Sequence, residues 1–159
     1  YPLELEGMYR ASSWEDYQRL TLEMDQRDDV DVIFHYSPHG QYDKSGRGIG
    51  YSEFTGWILK NQTHKPEFVV WAVWVSMGFL CGAGTDLYKI GENTALQADQ
   101  VLRGGNPGDI PIEFPRDYYI ALNLARAQQL GIEIPFEVLG GAKNIYFEMT
   151  SNPEFKYQK

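Results

Sequence analysis

The alternation of short apolar runs with segments of helical spacing constrains this chain more than any other feature. Leu3 and Leu5 alternate with Glu4 and Glu6, the period of a half-buried strand. Ser12 and Glu15 form a capping box, after which Trp14, Tyr17, Leu20 and Met24 recur at helical spacing. Val30 to Tyr36 (VDVIFHY) is a β-branched and aromatic run of strand length. Its near-continuous apolarity predicts a strand covered on both faces, as in parallel sheets. A polar, glycine-rich loop from Ser37 to Gly50 follows. Phe54, Trp57 and Ile58 then predict a helix over 52–61, and Phe68 to Trp74 a third strand. Strand, helix, strand, helix, strand points to an α/β domain: an open, mostly parallel sheet flanked by helices, with right-handed crossovers.

Downstream, Leu87, Ile90, Thr94, Ala98 and Val101 trace a helix ending at Gly104-Gly105. Residues 110–122 read as extended, with Pro111 and Pro115 confining part of the segment to an edge or a crossing. Asn123 caps a short helix from Leu124 to Leu130 that Gly131 stops, and a last helix begins near Pro135. Residues 1–150 are therefore expected to form one domain, with 151–159 as a C-terminal tail. A chain of 159 residues is long enough to close one hydrophobic core.

Charge excludes several classes of partner. With 14 Lys and Arg against 22 Asp and Glu, the net charge is −8 and no basic stripe is present. Nucleic acid is excluded as a partner, and docking on an anionic membrane is disfavoured. The single cysteine, Cys81, lies beside Phe79 and Leu80 and reads as a small buried hydrophobe. The most apolar stretch, from Phe68 to Cys81, is about fourteen residues and too short to span a bilayer. The abrupt start on a strand, without an initiator Met or a leader, is expected of a fragment of something longer.

Catalytic constellations are thin. His35, His39 and His64 lack the spacing of a zinc site, and no metal or cofactor is expected. His35, inside a strand, reads as a satisfied core histidine. There is no nucleophile elbow and no Walker-type loop. Gly46, Gly48 and Gly50, with the lone Arg47, read as a flexible solvated loop rather than a phosphate cradle. In open α/β sheets, ligands sit beyond the carboxyl ends of the strands. Those ends carry Tyr9 and Arg10, then Tyr36, Ser37 and His39, then Trp71 and Trp74, and these seven are the candidate ligand-binding residues. Two readings stay open on residues alone: a small-molecule pocket lined by rings and hydroxyls, or aromatics that plug the sheet edge.

The second half of the chain resembles a known family. Gly78-Phe79-Leu80, Asp86 to Gly91 and Leu102 to Ile112 (LRGGNPGDIPI) are similar to the turn, helix start and "I-L-x-G-x-x-P-x-D-I-P-V" run of ABC transporter substrate-binding proteins. Ile120 to Pro135 continues the resemblance, and Val30 to Ile33 matches a "V-D-A-I" strand. Such a resemblance implies one lobe, the C-terminal one, of a type I periplasmic-binding fold, with the crossover helix at about 87–103. It also implies a protein without chemistry of its own, which captures a small molecule between two lobes and serves a membrane permease. The expected location is extracytoplasmic, periplasmic or lipid-anchored. The N-terminal lobe would lie outside this sequence, and two copies could pair through the helix face it leaves open. Where relatives place Asp or Asn after the central strands, this chain has Pro38-His39 and Trp71-Ala72. A ligand gripped through a carboxylate–ammonium pair is therefore not expected, and a flatter or aromatic one is. The alternatives are a ligand-sensing domain of a signalling receptor and a small flavodoxin-like enzyme.

Overall fold

The computed structural model describes residues 3–36, 40–114 and 118–151. In chain order the elements are α1 (Trp14–Asp25), β1 (Ile33–His35), α2 (Tyr51–Asn61), β2 (Glu67–Val69), α3 (Ala72–Met77), β3 (Cys81–Thr85) and α4 (Leu87–Leu102). A 3-10 turn at Pro107–Asp109 leads to β4 (Tyr118–Asn123), α5 (Leu124–Leu130), α6 (Phe136–Gly141) and β5 (Asn144–Tyr146). The strands form one sheet in the order β1-β2-β3-β4-β5. β1, β2 and β3 are mutually parallel, β4 runs antiparallel to β3, and β5 is parallel to β4. This is the expected α/β architecture, with one reversal in the sheet.

One face of the sheet carries the core. Trp14 of α1, Phe54 and Ile58 of α2 and Trp74 and Val75 of α3 close over Val69, Phe79 and Ala121. Rings supply much of the contact: Trp14 lies 5.2 Å from Phe54, and Phe54 5.9 Å from Trp74, centroid to centroid. The opposite face of β1 is open, since Ile33 and His35 are buried while Phe34 between them is 47% exposed. The expectation of a strand covered on both faces therefore fails for β1 among the described residues.

Several local expectations hold. α2, α4 and α5 fall where the periodicity predicts them. Asn123 caps α5 by accepting from the Arg126 N–H, and Gly131 ends it at φ 68°, the left-handed conformation that suits glycine. At α1 the cap is Ser13, one residue later than expected, and its hydroxyl accepts from the Asp16 N–H at 3.2 Å.

Others are corrected. Residues 3–11 form no strand, and Leu3 and Leu5 are exposed, because nothing in the sheet pairs with them. The run from Phe68 to Trp74 is not one strand: β2 stops at Val69 and the chain turns at Trp71 into α3. Periodicity cannot separate a buried strand from a short buried helix, and here the helix packs against β2, β3, β4 and β5. β3 was hidden by its composition, CGAGT, which is poor in strand formers. Its glycines serve close approach, since a Cβ at Gly82 would lie 2.6 Å from the Val69 carbonyl oxygen. β4 begins only after both prolines and lies inside the sheet, not at its edge. No helix among the described residues is long and apolar enough to cross a membrane.

A buried ion pair ties the layers together. Glu67 of β2 and Arg126 of α5 are both fully buried. Arg126 Nε donates to the two Glu67 oxygens at 3.0 and 3.3 Å, and Nη2 donates to the same carboxylate. The guanidinium also donates to the carbonyls of Leu59 (3.2 Å) and Gln62 (2.6 Å). Burial pushes the Glu67 carboxyl up, and Arg126 beside it opposes that rise.

Candidate functional site

The carboxyl ends of β1, β2 and β3 share one edge of the sheet and deliver Tyr36, Trp71 and Asp86 in turn. Because β4 is reversed, its first residues reach the same edge: Thr85 pairs with Tyr118, and Gly84 with Tyr119. β5 runs with β4, so Lys143, just before it, arrives there too, its N–H bonded to the Ile120 carbonyl at 2.9 Å. The edge therefore mixes strand ends and strand beginnings.

Tyr36 is 71% exposed, with its ring edge-on to Phe34 at 5.9 Å. Trp71, 39% exposed, is the N-cap residue of α3. The Tyr119 hydroxyl accepts from the Ala72 N–H at 3.4 Å, which seats its ring beside the Trp71 turn. Lys143 Nζ lies 5.8 Å from the centroid of that ring and donates to Asp86. The other Asp86 oxygen accepts the N–H groups of Tyr88 and Lys89 and so caps α4. Lys143 together with these N–H groups holds the Asp86 carboxyl below the usual aspartate range, against a smaller opposing effect of burial.

The remaining candidates divide. Trp74 is only 4% exposed, and its ring meets Tyr51, Phe54 and Phe79, so it fills the core instead of lining the edge. Tyr9 is placed elsewhere. Its hydroxyl accepts from Arg27 at 2.8 Å, just past the far end of α1, where Asp25 gathers the N–H groups of Thr63, His64 and Lys65 ahead of β2. Arg10 is exposed in the same unstructured stretch. Ser37 and His39 lie outside the described residues. Asp86, Tyr119 and Lys143 also stand at this edge and are not among the seven sequence candidates. The Asp-Leu-Tyr start of α4 is a capping signal for Asp86, but nothing in the sequence flags Lys143.

His35 is the core histidine expected. Its Nδ1 pairs with the Tyr17 hydroxyl and its Nε2 with Gln62 Oε1 at 3.0 Å, and burial pushes its pKa down to about 4. Cys81 is partly buried, and burial pushes its thiol up to about 11, which leaves it unreactive. Arg47 of the glycine loop is engaged by Asp43 (3.0 Å) and by both oxygens of Glu53 (2.9 Å each), so it is not free to hold a phosphate. Within that loop Tyr42 is bridged to Gly48. No cluster of three or more His, Cys, Asp or Glu suits a metal among the described residues.

α4 stands apart. None of its sixteen residues is buried, and Leu87, Leu96 and Leu102 are exposed. A shallow groove beside it is lined by residues including Asp86, Ile90, Asn93, Gln97, Glu113 and Phe114.

The edge thus carries accessible rings and one ion pair among the described residues. The model of the ABC transporter substrate binding protein family matches residues 52–146, and the chain belongs to that family. Among solved structures it is similar to a conserved domain protein from Vibrio cholerae O1 biovar El Tor, with 29% identity and a TM-score of 0.61 over 85% of this chain and 42% of that one. The ABC domain in complex with L-Trp from Streptococcus pneumonia has the same fold, with 24% identity and a TM-score of 0.63, covering 86% of this chain and 43% of its own. So does a ligand-free, open substrate-binding protein with adhesive properties from Clostridium difficile, with 19% identity, a TM-score of 0.60 and coverages of 81% and 41%. The chain thus spans about two-fifths of the length of these proteins. A search of curated sequences gave no match.

Proposed function

We propose that the chain is the C-terminal lobe, residues 1–150, of a solute-binding protein that captures a small molecule and delivers it to an ABC-type permease outside the cytoplasm, without catalysis. The family match over residues 52–146 carries this reading. The geometry supports it. The sheet edge presents accessible aromatic and polar groups, and an N-terminal lobe closing over it would supply the opposite wall. The uncovered apolar side of α4 is a natural seat for that lobe, since exposed apolar patches of this kind mark interfaces. A dimer through α4 would use the same surface and so compete with the second lobe.

Of the seven residues expected to touch ligand, Tyr36 and Trp71 are retained as the ring-stacking pair; Ser37 and His39 stay candidates by sequence alone and lie outside the described residues. Tyr9 and Arg10, ahead of α1, and Trp74, buried in the core, are left out of this reading. The ligand is a flat or aromatic solute, in keeping with the L-Trp bound by the Streptococcus relative.

A thermal-shift screen of the intact two-lobed protein against amino acids, purines, sugars and aromatic acids tests this. A solute at a hundredfold excess over its Kd stabilises by about 2.7 kcal/mol. That is a rise of several degrees. Absence of any shift across the panel would count against solute binding. A Trp71→Ala protein that kept wild-type affinity for the hit would remove Trp71 from the site.

A further inference from the structure

We infer, resting on the solute-binding reading above, that Lys143 is the carboxylate-recognition residue of this lobe, so that the ligand is an aromatic solute bearing a carboxylate. Asp86 and the Tyr119 ring act as its positioning residues. Pro38-His39 and Trp71-Ala72, after the first two strands, offer the ligand no charged grip, and Asp86 after β3 is engaged by the α4 cap and Lys143. The reversal of β4 and β5 supplies a charged grip from a different direction.

Three features of the cluster carry the inference. The first is accessibility within the ion pair. The Asp86 side chain is 14% exposed and has its other oxygen occupied by two backbone N–H groups, whereas the Lys143 side chain is 58% exposed. Asp86 is thus an anchor and Lys143 the accessible member. An ammonium has three donors, and the contact with Asp86 uses one of them. The second is orientation. An isolated surface lysine sweeps many rotamers, and ordering it on binding erodes the gain. Here the ammonium is held between the Asp86 carboxylate and the Tyr119 ring before any ligand arrives. The third is juxtaposition. Tyr119 bridges the two halves of the edge: its hydroxyl meets the Ala72 N–H next to Trp71, and its ring lies under Lys143. Charge and stacking surface therefore meet across a single side chain, Tyr119.

Isothermal titration of the intact protein with three probes sharing one indole ring tests this. L-Tryptophan carries both charges, indole-3-propionate only the carboxylate and tryptamine only the ammonium. Both carboxylates are expected to bind at least tenfold more tightly than tryptamine. Lys143→Met should weaken both by tenfold or more and leave tryptamine unchanged, while Lys143→Arg should restore part of the loss. Asp86→Asn should weaken the carboxylates selectively, whereas mere structural damage would weaken all three. Equal binding of tryptamine, or wild-type carboxylate affinity in Lys143→Met, overturns the assignment and leaves solute binding standing. So does a thermal-shift hit on an uncharged solute that Lys143→Met still binds normally. If no solute of any class binds, the solute-binding reading fails, and this assignment with it.

Discussion

Replacing Arg126 with methionine isolates the largest electrostatic commitment in the fold. The guanidinium is fully buried and donates to both oxygens of Glu67 and to the carbonyls of Leu59 and Gln62. Methionine fills most of the volume and supplies none of these donors. Glu67 would keep only the Leu80 N–H at 3.2 Å. Breaking one side of a buried pair costs about 3–5 kcal/mol, because the partner charge is left uncompensated. That is a large share of the roughly 5–15 kcal/mol that holds a typical domain together. The loss also acquires a pH dependence of definite sign. Burial already pushes the Glu67 carboxyl up, and without Arg126 only backbone N–H groups, that of Leu80 among them, oppose it. A carboxyl raised above its unfolded value stabilises the fold below that value, and the contribution is lost as pH rises through the folded pKa. The deficit of Arg126→Met should therefore be larger at pH 7 than at pH 5. Adding Glu67→Leu removes the stranded carboxylate and should recover part of the loss. Urea denaturation followed by tryptophan fluorescence measures all three proteins. A loss under about 1 kcal/mol in Arg126→Met, or a double variant no better than the single one, would refute the reasoning.

Two further outcomes follow from the core. His35 is buried with a pKa near 4, against an ordinary value of about 6.5 in the unfolded chain. The unfolded state binds the extra proton between those values, so stability present above pH 6.5 falls as pH drops toward 4, by about 3 kcal/mol in all. His35→Gln should flatten that window in the difference between the two denaturation curves; an unchanged difference from pH 7 to pH 4 would show that His35 does not titrate there. Trp74→Ala should cost about 3–5 kcal/mol, since the ring is buried against Tyr51, Phe54 and Phe79. Trp71→Ala should cost far less in the same melting experiment, and a reversed order would mean that the two tryptophans have been assigned to the wrong roles.

The parts of the fold legible in the sequence are those written in local chemistry. α5 is readable end to end, because Asn123 and Gly131 punctuate it and its apolar residues keep helical spacing. α2 and α4 are readable by period, although α4 shows that a period does not tell whether the partner face is present. What was not legible depended on tertiary contact. The strand–helix boundary at Trp71 is invisible in an unbroken apolar run. β3 is a strand for the sake of its neighbours, its glycines letting β2 come close. Glu67 and Arg126 are separated by 59 positions, and no spacing rule joins them. An arginine among the alanines of α5 was the only local hint.

The candidate site failed to be legible for one further reason, which lies in the sheet. The rule that ligands sit at strand carboxyl ends directs attention to Tyr36, Trp71 and Asp86 on β1, β2 and β3. Applied unchanged to β4, it points to Asn123. That residue is buried at the opposite edge, where its amide donates to the carbonyls of Val75 and Glu148 at 2.9 Å each, so it serves the core. The reversal between β3 and β4 exchanges the two ends, and the candidate edge takes Tyr118, Tyr119 and Lys143 from the beginnings of strands. Strand direction cannot be read from a run of apolar residues, since both directions use the same period. It follows instead from the excursion through α4, which leaves the carboxyl edge at Asp86 and brings the chain back to that edge at Tyr118. The helix whose apolar side lies open is thus also the element that assembles the edge, and a lobe docking on α4 would bear directly on the Asp86 cap that holds Lys143.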